Sequence, residues 1–171
     1  LTVPGRWREL ASFVHGEQNQ LLDRLSVPPV HVGDVQLRAE HLHDVLKPFA
    51  HLSSLYLQPN IPDKKLRNAR KFCEVPDEED VLALVDCTVF GSASDAVLFG
   101  SRHLFFRNFI AQNGRPGRLS YGDLLRISLQ RSNDGELVFG ENLTANLSGS
   151  GLSAAELLMV MRELQKRLQS G

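Results

Sequence analysis

The stretch from Val81 to Asn108 constrains the fold of this chain most strongly, because its apolar residues occur in short runs separated by Gly/Ser turns. The runs cover 82–89, 96–99 and 103–106. Short runs rich in β-branched and aromatic residues between small-residue turns are typical of antiparallel hairpins. The stretch therefore predicts a three-stranded meander.

The meander is followed by a second series of short strands. Asp134-Gly135 is the best hairpin turn in the chain, because this dipeptide tolerates the positive φ angles that a tight two-residue turn requires. The predicted strands are a short one holding Leu119 and Tyr121, one in which Leu125, Ile127 and Leu129 alternate, and two further ones at 136–139 and 143–147.

The chain closes with an amphipathic helix whose start is visible in the sequence. Ser153 and Glu156 have the spacing of a capping box, in which each side chain satisfies a backbone N–H of the first turn. An apolar stripe at helical spacing must be buried against the strands. The residues of this stripe are Leu157, Met161, Leu164 and Leu168.

The first 75 residues have a mainly helical pattern. Helices are predicted at 4–25, at 37–57 with a kink or break at Pro48, and from Asp63 with Leu66, Ala69 and Phe72 on its apolar side. A short extended segment is predicted at 30–37. An acidic, proline-containing segment follows Val75, so the chain is divided into a helical region at 1–75 and a strand-rich region at 76–171.

Over roughly residues 80–170, the chain resembles bacterial pleckstrin-homology-like (PH-like and GRAM-like) domains. The resemblance rests on seven short antiparallel strands before one C-terminal helix, and on the segments Leu98 to Arg107 and Ser120 to Ile127. It implies an α+β fold: a PH-like seven-stranded antiparallel barrel with a C-terminal capping helix, preceded here by the helical region.

Domains of this kind are generally binding modules, and many bind phosphoinositides through Lys and Arg in the first hairpin loop. The corresponding loop here, Phe90 to Asp95, has no basic residue and one acidic residue. No binding residue is therefore carried over from the family. The resemblance implies a non-catalytic protein-interaction or regulatory module, whose partner is another protein or another domain of a longer chain.

Charge and cysteine usage limit the classes of partner. The 171 residues carry a formal net charge of −1, which provides no global attraction to nucleic acid or to an anionic membrane. No apolar run approaches the roughly 20 residues that span a bilayer. Cys73 and Cys87 have neither metal-ligand nor CxxC spacing, so free thiols and a cytoplasmic location are expected, a Cys73–Cys87 disulfide being the alternative.

The sharpest charged feature is a basic cluster on the third predicted helix, made of Lys64, Lys65, Arg67, Arg70 and Lys71. Such a cluster can contact lipid phosphate and attach the protein peripherally to an anionic membrane. It lacks the interleaved aromatic residues of single-stranded nucleic-acid sites, so no nucleic acid is expected. The alternative is a solvated helix face balanced by the acidic run from Asp77 to Asp80.

Three apolar residues near the end of the meander suggest a partner-binding patch: Phe106, Phe109 and Ile110. They exceed what one face of a small barrel needs to bury. The alternative is that they pack against the N-terminal helices.

Catalytic and metal sites have little support in the sequence. His41 and His43 project about 200° apart on a helix, so they cannot share a metal ion. Asp86-Cys87-Thr88 is the least poor candidate for a thiol enzyme, and no phosphate-binding glycine loop is present. We therefore expect no enzyme activity, no metal and no cofactor, with a thiol-dependent or metal-dependent enzyme as the weaker alternative.

Overall fold

The computed structural model describes residues 35–107 and 114–170, which form an α+β structure with two antiparallel sheets and a C-terminal helix. The predicted α+β class is thereby confirmed. The helices are α1 (Ala39–Leu46), α2 (Asp63–Phe72), α3 (Tyr121–Leu124) and α4 (Ala154–Ser170). The strands are β1 (Leu55–Leu57), β2 (Val81–Asp86), β3 (Ala96–Gly100), β4 (His103–Arg107), β5 (Gly117–Ser120), β6 (Leu129–Asn133), β7 (Glu136–Phe139) and β8 (Leu143–Asn146).

The first sheet has the order β1-β2-β3-β4-β5, with every neighbouring pair antiparallel. Its centre, β2-β3-β4, is the meander predicted from the sequence. The first predicted run was too long, because β2 ends at Asp86 and Val89 lies in the following loop with 82% of its surface exposed. The Asp86 carboxylate ends the strand by accepting a hydrogen bond from the backbone N–H of Thr88, as in an Asx turn.

The first sheet is buried on both faces, which explains why β2 and β3 are apolar without alternation. On one face, Val85 and Phe99 join a core formed with α1, α4 and the second sheet. On the other face, Leu84 and Leu98 join a second core with Ala69 of α2. The basic helix α2 is therefore an outer layer that covers the first sheet.

The second sheet has the order β6-β7-β8, and its first hairpin turns at Asp134-Gly135 as predicted. The strand predicted through Leu125 and Ile127 is wrong. Ser120 caps the short helix α3 instead, since its Oγ accepts a hydrogen bond from the N–H of Asp123 at 3.0 Å. The strand β6 consequently starts later, at Leu129.

Helix α4 begins and packs as the sequence predicts. Glu156 Oε2 accepts a hydrogen bond from the N–H of Ser153 at 2.8 Å, and Ser153 Oγ accepts one from the N–H of Glu156 at 3.2 Å, which completes the capping box. Leu157, Met161 and Leu164 of the predicted stripe are buried in the first core.

The described part of the N-terminal region contains one element that the sequence pattern conceals. Helix α1 ends at Leu46, and a 3₁₀ turn at Lys47–Phe49 follows, as expected from Pro48. The predicted continuation of this helix to Leu57 is wrong, because Leu55–Leu57 is a strand paired with β2. The predicted helix at 4–25 lies outside the described residues.

The described residues, 35–107 and 114–170, belong to one compact unit. Val75, at which the sequence pattern divides the chain, lies within this unit and is buried in the second core.

Candidate binding surface

The five basic residues of the predicted cluster occupy different sides of α2. Lys64, Arg67 and Lys71 are exposed, whereas Lys65 and Arg70 are partly buried. Positions 64, 67 and 71 have the three- and four-residue spacing that aligns side chains along one line of a helix. The other two side chains extend along the flanks of the helix and contact the rest of the protein.

Lys65 is held by the loop that follows β2. Its Nζ donates hydrogen bonds to Asp86 Oδ2 at 2.6 Å and to the carbonyl oxygen of Gly91 at 2.5 Å. The side chains of Lys65 and Asp86 are 20% and 3% exposed. Burial alone would raise the pKa of Asp86, but hydrogen bonds from Lys65 and Thr88 outweigh it, so the pKa is lowered and the carboxylate stays charged. Lys65 is therefore an internal ion-pair partner.

Arg70 fixes the acidic segment between α2 and β2. Its guanidinium donates to the carbonyl oxygen of Glu79 from Nη1 at 3.0 Å and from Nη2 at 2.7 Å, and to that of Asp77 at 3.2 Å. A guanidinium engaged with several backbone carbonyls is a structural clamp. Only part of the predicted phosphate-binding cluster is thus free to meet a ligand.

We refer to the exposed residues Lys64, Arg67 and Lys71 as the cationic ridge. In the described part of the chain, no salt bridge joins any of them to a carboxylate. The acidic run from Asp77 to Asp80 therefore does not pair with the ridge, although Arg70 holds that run beside the same helix. The ridge is a row of three exposed positive charges, of which Lys71 Nζ also lies 5.6 Å from the ring centroid of Phe72.

The loop between β2 and β3 presents two large apolar side chains to solvent. Val89 is 82% exposed and Phe90 is 97% exposed. We refer to these two residues as the apolar tip. The sequence pattern places Val89 in a strand and Phe90 in the loop, so it does not predict the tip. The signal available in the sequence was that two large apolar residues directly precede a Gly-Ser turn.

The loop that bears the apolar tip is fixed at several points. Asp86 Oδ1 accepts hydrogen bonds from the N–H of Thr88 at 2.9 Å, from Thr88 Oγ1 at 2.5 Å and from the N–H of Ala93 at 3.2 Å. Asn68 Nδ2 of α2 donates to the carbonyl oxygen of Ser92 at 2.9 Å. Together with Lys65, these bonds hold the loop against the flank of α2 beside the cationic ridge.

A cavity of about 380 Å³ lies between this loop and the segment that follows β8. Its lining contains hydroxyl, amide and carboxylate groups but neither Lys nor Arg. A phosphate group bound there would have no cation to pair with. The polar side chains that line the cavity are Thr88, Ser92, Ser94, Asp95, Asn146 and Ser148.

Of the predicted partner-binding patch, the structure describes Phe106, which is buried. Phe106 is 2% exposed and stacks on Phe139, with ring centroids 5.3 Å apart. It is a core residue of the described structure and is inaccessible to a partner. Phe109 and Ile110 lie outside the described residues.

Neither cysteine is placed as an activated nucleophile. Cys73 and Cys87 are free and buried. Burial raises the pKa of Cys73 to about 12 and also raises that of Cys87, so both are protonated thiols at neutral pH.

A carboxylate–histidine pair that the sequence did not suggest lies at the turn between β3 and β4. Glu79 is buried; its Oε1 accepts from the N–H of Arg102 at 2.7 Å and its Oε2 accepts from His103 Nδ1 at 2.8 Å. Arg118 Nη2 donates to His103 Nε2 at 2.8 Å. Since the outer nitrogen of His103 meets a guanidinium rather than a hydroxyl or thiol, the pair holds the turn together.

We expect Glu79→Gln to lower the free energy of unfolding by about 1 to 3 kcal/mol at pH 7, since it weakens charge-assisted hydrogen bonds to a buried group. Burial alone would raise the pKa of Glu79, but hydrogen bonds from Arg102 and His103 lower it overall. A pKa lower in the folded state makes this contribution present above the unfolded-state pKa, and it is lost as pH falls through the folded-state pKa.

Urea unfolding from about pH 7 down to about pH 3 measures this effect, because an unperturbed Glu titrates near 4.3. The gap between wild type and variant should be largest above about pH 5 and should shrink on acidification. Glu78→Gln, at the exposed neighbouring position, is the control and should leave the profile unchanged. A constant gap at every pH would contradict the assigned role of the Glu79 charge.

The described residues contain neither a metal-binding cluster nor a membrane-spanning helix. No group of three or more His, Cys, Asp and Glu side chains is arranged to hold a metal ion within residues 35–107 and 114–170. In the same residues, none of the helices combines the length and the apolarity needed to cross a bilayer. The ring of His43, a residue considered above as a metal ligand, has its Nε2 3.2 Å from the carbonyl oxygen of Gln58.

Comparison of the chain with protein-family models, with curated proteins and with solved structures finds no match in any of the three.

Proposed function

We propose that this chain is a non-catalytic module that binds peripherally to anionic membrane surfaces through the cationic ridge of α2. The observation that carries the proposal is that Lys64, Arg67 and Lys71 are exposed and engage in no salt bridge within the described residues. Each Lys or Arg close to an anionic bilayer contributes about 1 kcal/mol of attraction. Three of them on one rigid line give an oriented, reversible contact.

The rigidity of α2 supports the proposal. Ala69 is fully buried against the first sheet, and Lys65 and Arg70 tie the two flanks of the helix to neighbouring segments. The ridge therefore keeps one orientation relative to the body of the protein. A planar charged surface is contacted by all three cations only if they share such a face.

We also propose that the fold belongs to the PH-like class. Support comes from the element order after Val81: four antiparallel strands, β2 to β5, then three, β6 to β8, and then the helix α4. In the described residues the two sheets are separate in their hydrogen bonding, so the proposal concerns strand order rather than barrel closure. Strand β1 and helices α1 and α2 precede this unit.

The surface favours recognition of charge density over recognition of one phosphorylated headgroup. The cavity beside the β2–β3 loop has neither Lys nor Arg in its lining. The three ridge cations lie in a line on a convex helix and do not surround a pocket. We therefore expect vesicles of phosphatidylserine and of a phosphoinositide to bind the protein equally at matched surface charge.

Sedimentation with vesicles tests the proposal. Wild type should bind vesicles that contain phosphatidylserine and should not bind pure phosphatidylcholine vesicles. Binding should weaken between about 20 mM and about 150 mM salt, since the Debye length shortens. The triple variant Lys64→Glu, Arg67→Glu, Lys71→Glu should bind at least roughly 100-fold more weakly, because losing three cations at about 1 kcal/mol each removes about 3 kcal/mol and the introduced carboxylates add repulsion.

The matched control reverses three exposed cations elsewhere, with Arg102→Glu, Arg162→Glu and Lys166→Glu. It changes the net charge of the protein by the same amount. An equal loss of binding in both triple variants would show attraction by net charge alone and would reject the ridge as the site. Equal binding to neutral and anionic vesicles would reject the proposal, and the predicted protein partner would then take its place.

A further inference from the structure

The apolar tip lies next to the cationic ridge, and its exposure is not explained by the folded chain. Among the described residues, the exposed large apolar side chains are Phe72, Val89, Phe90 and Met159. Two of these four are consecutive at the tip, and Phe72 ends the helix that bears the ridge. Single exposed apolar residues are ordinary, but a nearly fully exposed pair on a fixed loop points to an external apolar contact.

Residues adjacent in sequence to the ridge donate hydrogen bonds to the loop residues that follow the tip. Lys65, which follows Lys64 of the ridge, donates to the carbonyl oxygen of Gly91, which follows Phe90. Asn68, which follows Arg67, donates to the carbonyl oxygen of the next loop residue, Ser92. The loop therefore runs along α2 within one helical turn of the ridge.

The loop is also closed at its base by hydrogen bonds, and Val89 and Phe90 border the cavity that the loop shares with the segment after β8. Asp86 accepts bonds from Thr88 on one side of the tip and from Ala93 on the other, so it closes the base of the loop. Gly91 adopts a φ of 69°, a left-handed conformation that glycine allows without strain, and a Cβ there would lie 3.1 Å from Lys65 Nζ. The hydrogen bonds of Asp86 and the left-handed conformation of Gly91 therefore define the loop conformation that exposes the tip.

From this juxtaposition we propose that Val89 and Phe90 insert among the lipid headgroups of the anionic membrane that the cationic ridge contacts. This inference rests on the proposed function. The two parts supply different attractions. The ridge acts at long range and is screened by salt, whereas burial of the tip in the acyl boundary acts at short range and is insensitive to screening.

The tip contributes no electrostatic attraction to the membrane. Neither residue carries a charge, and the carboxylate of the neighbouring Asp95 is paired with Arg107 at 3.1 Å. The tip therefore faces the membrane without a net negative group free to be repelled by it. A bilayer offers both partners at once, phosphate for the ridge and hydrocarbon for the tip.

Insertion is tested directly with Phe90→Trp and vesicles whose acyl chains carry bromine, which quenches indole fluorescence at short range. Wild type retains only Trp7 and is measured as the background. The emission of the indole introduced at position 90 should shift to shorter wavelength and be quenched on anionic vesicles. A bound variant in which the added indole is neither shifted nor quenched would overturn the proposal.

The energetic test uses Val89→Ser with Phe90→Ser, and Met159→Ser is the matched control because Met159 is 59% exposed on α4. The double variant should bind anionic vesicles roughly tenfold more weakly, since an aromatic and a valine side chain lose apolar burial. The binding that wild type retains at high salt should disappear. Met159→Ser should behave as wild type in both respects.

The outcomes separate the two proposals. Normal binding by the tip variant together with loss in the ridge variant overturns insertion alone. Normal binding by the ridge variant overturns the proposed function, and insertion with it. If vesicles do not bind and a protein partner requires Phe90, both are overturned. Unfolding midpoints equal to wild type in the tip variant ensure that lost binding is not lost folding.

Discussion

Replacing Asp86 by alanine is expected to lower the free energy of unfolding by about 3 to 5 kcal/mol, because it leaves a partly buried Lys65 without its ion-pair partner. The same change removes the acceptor for the N–H groups of Thr88 and Ala93. Lys65 Nζ keeps the carbonyl oxygen of Gly91 and the side chain of Tyr56, whose ring centroid lies 5.2 Å away. Urea unfolding at pH 7 measures the loss.

The pH profile identifies the charge as the cause. Hydrogen bonds from Lys65 and Thr88 lower the pKa of Asp86 against the opposing effect of burial. Its contribution is thus present above the unfolded-state pKa, near 3.9, and is lost as pH falls through the folded-state pKa. On acidification below about pH 4, the free energy of unfolding should therefore fall less in Asp86→Ala than in wild type.

The control is Asp95→Ala, which breaks the pair of Arg107 with a carboxylate that is 23% exposed, against 3% for Asp86. It should lower stability less than Asp86→Ala, because Arg107 keeps its hydrogen bonds to the carbonyl oxygens of Ser94 and Gly114. A double-mutant cycle with Lys65→Met should show strong coupling to Asp86. Additive effects in that cycle would contradict the ion pair, and a loss no larger than that of Asp95→Ala would contradict its structural importance.

The second large effect is expected for Phe106→Ala, which should lower the free energy of unfolding by about 3 to 5 kcal/mol. Phe106 is almost wholly buried and stacks on Phe139. Its ring lies over Gly117 of β5, where a Cβ would come within 2.3 Å of the ring. Removing the ring leaves a cavity that the rigid sheet cannot fill by a small shift. Thermal or urea unfolding measures the change.

The matched comparison is Phe90→Ala, which removes an identical side chain from an exposed position. It should change stability by less than about 0.5 kcal/mol. The two variants should rank in the opposite order in vesicle binding. The folded Phe106→Ala protein should bind as wild type does, and Phe90→Ala should bind more weakly. A stable Phe106→Ala protein with a specific binding defect would restore Phe106 to the predicted partner-binding patch.

Much of the secondary structure could be predicted because its signals are local. The Asp134-Gly135 hairpin and the Ser153–Glu156 capping box each depend on residues within a few positions of one another, and the meander pairs strands that directly follow one another along the chain. Tight turns and capping hydrogen bonds of this kind form between residues close in sequence, whatever the rest of the protein packs against them. These elements therefore form as the sequence indicates.

Other elements could not be predicted from the sequence because their partners are distant. Leu55–Leu57 is a strand only because β2 offers it an edge about 30 residues later, as in the pairing of Leu55 with Val85. Tyr121 leaves its predicted strand because it is buried and its hydroxyl donates to the carbonyl oxygen of Gly100 at 2.9 Å. Tertiary contacts override local preference at such positions.

Residue types and their spacing were enough to establish that α2 is basic, that the chain is α+β, and that the first hairpin loop lacks Lys and Arg. They could not establish which cations are free, because that depends on packing. Lys65 and Arg70 face groups on other segments, whereas the ridge faces solvent. The charge of a side chain is a property of its residue type. Its availability depends on where the helix packs and on which distant acceptors that packing brings within reach.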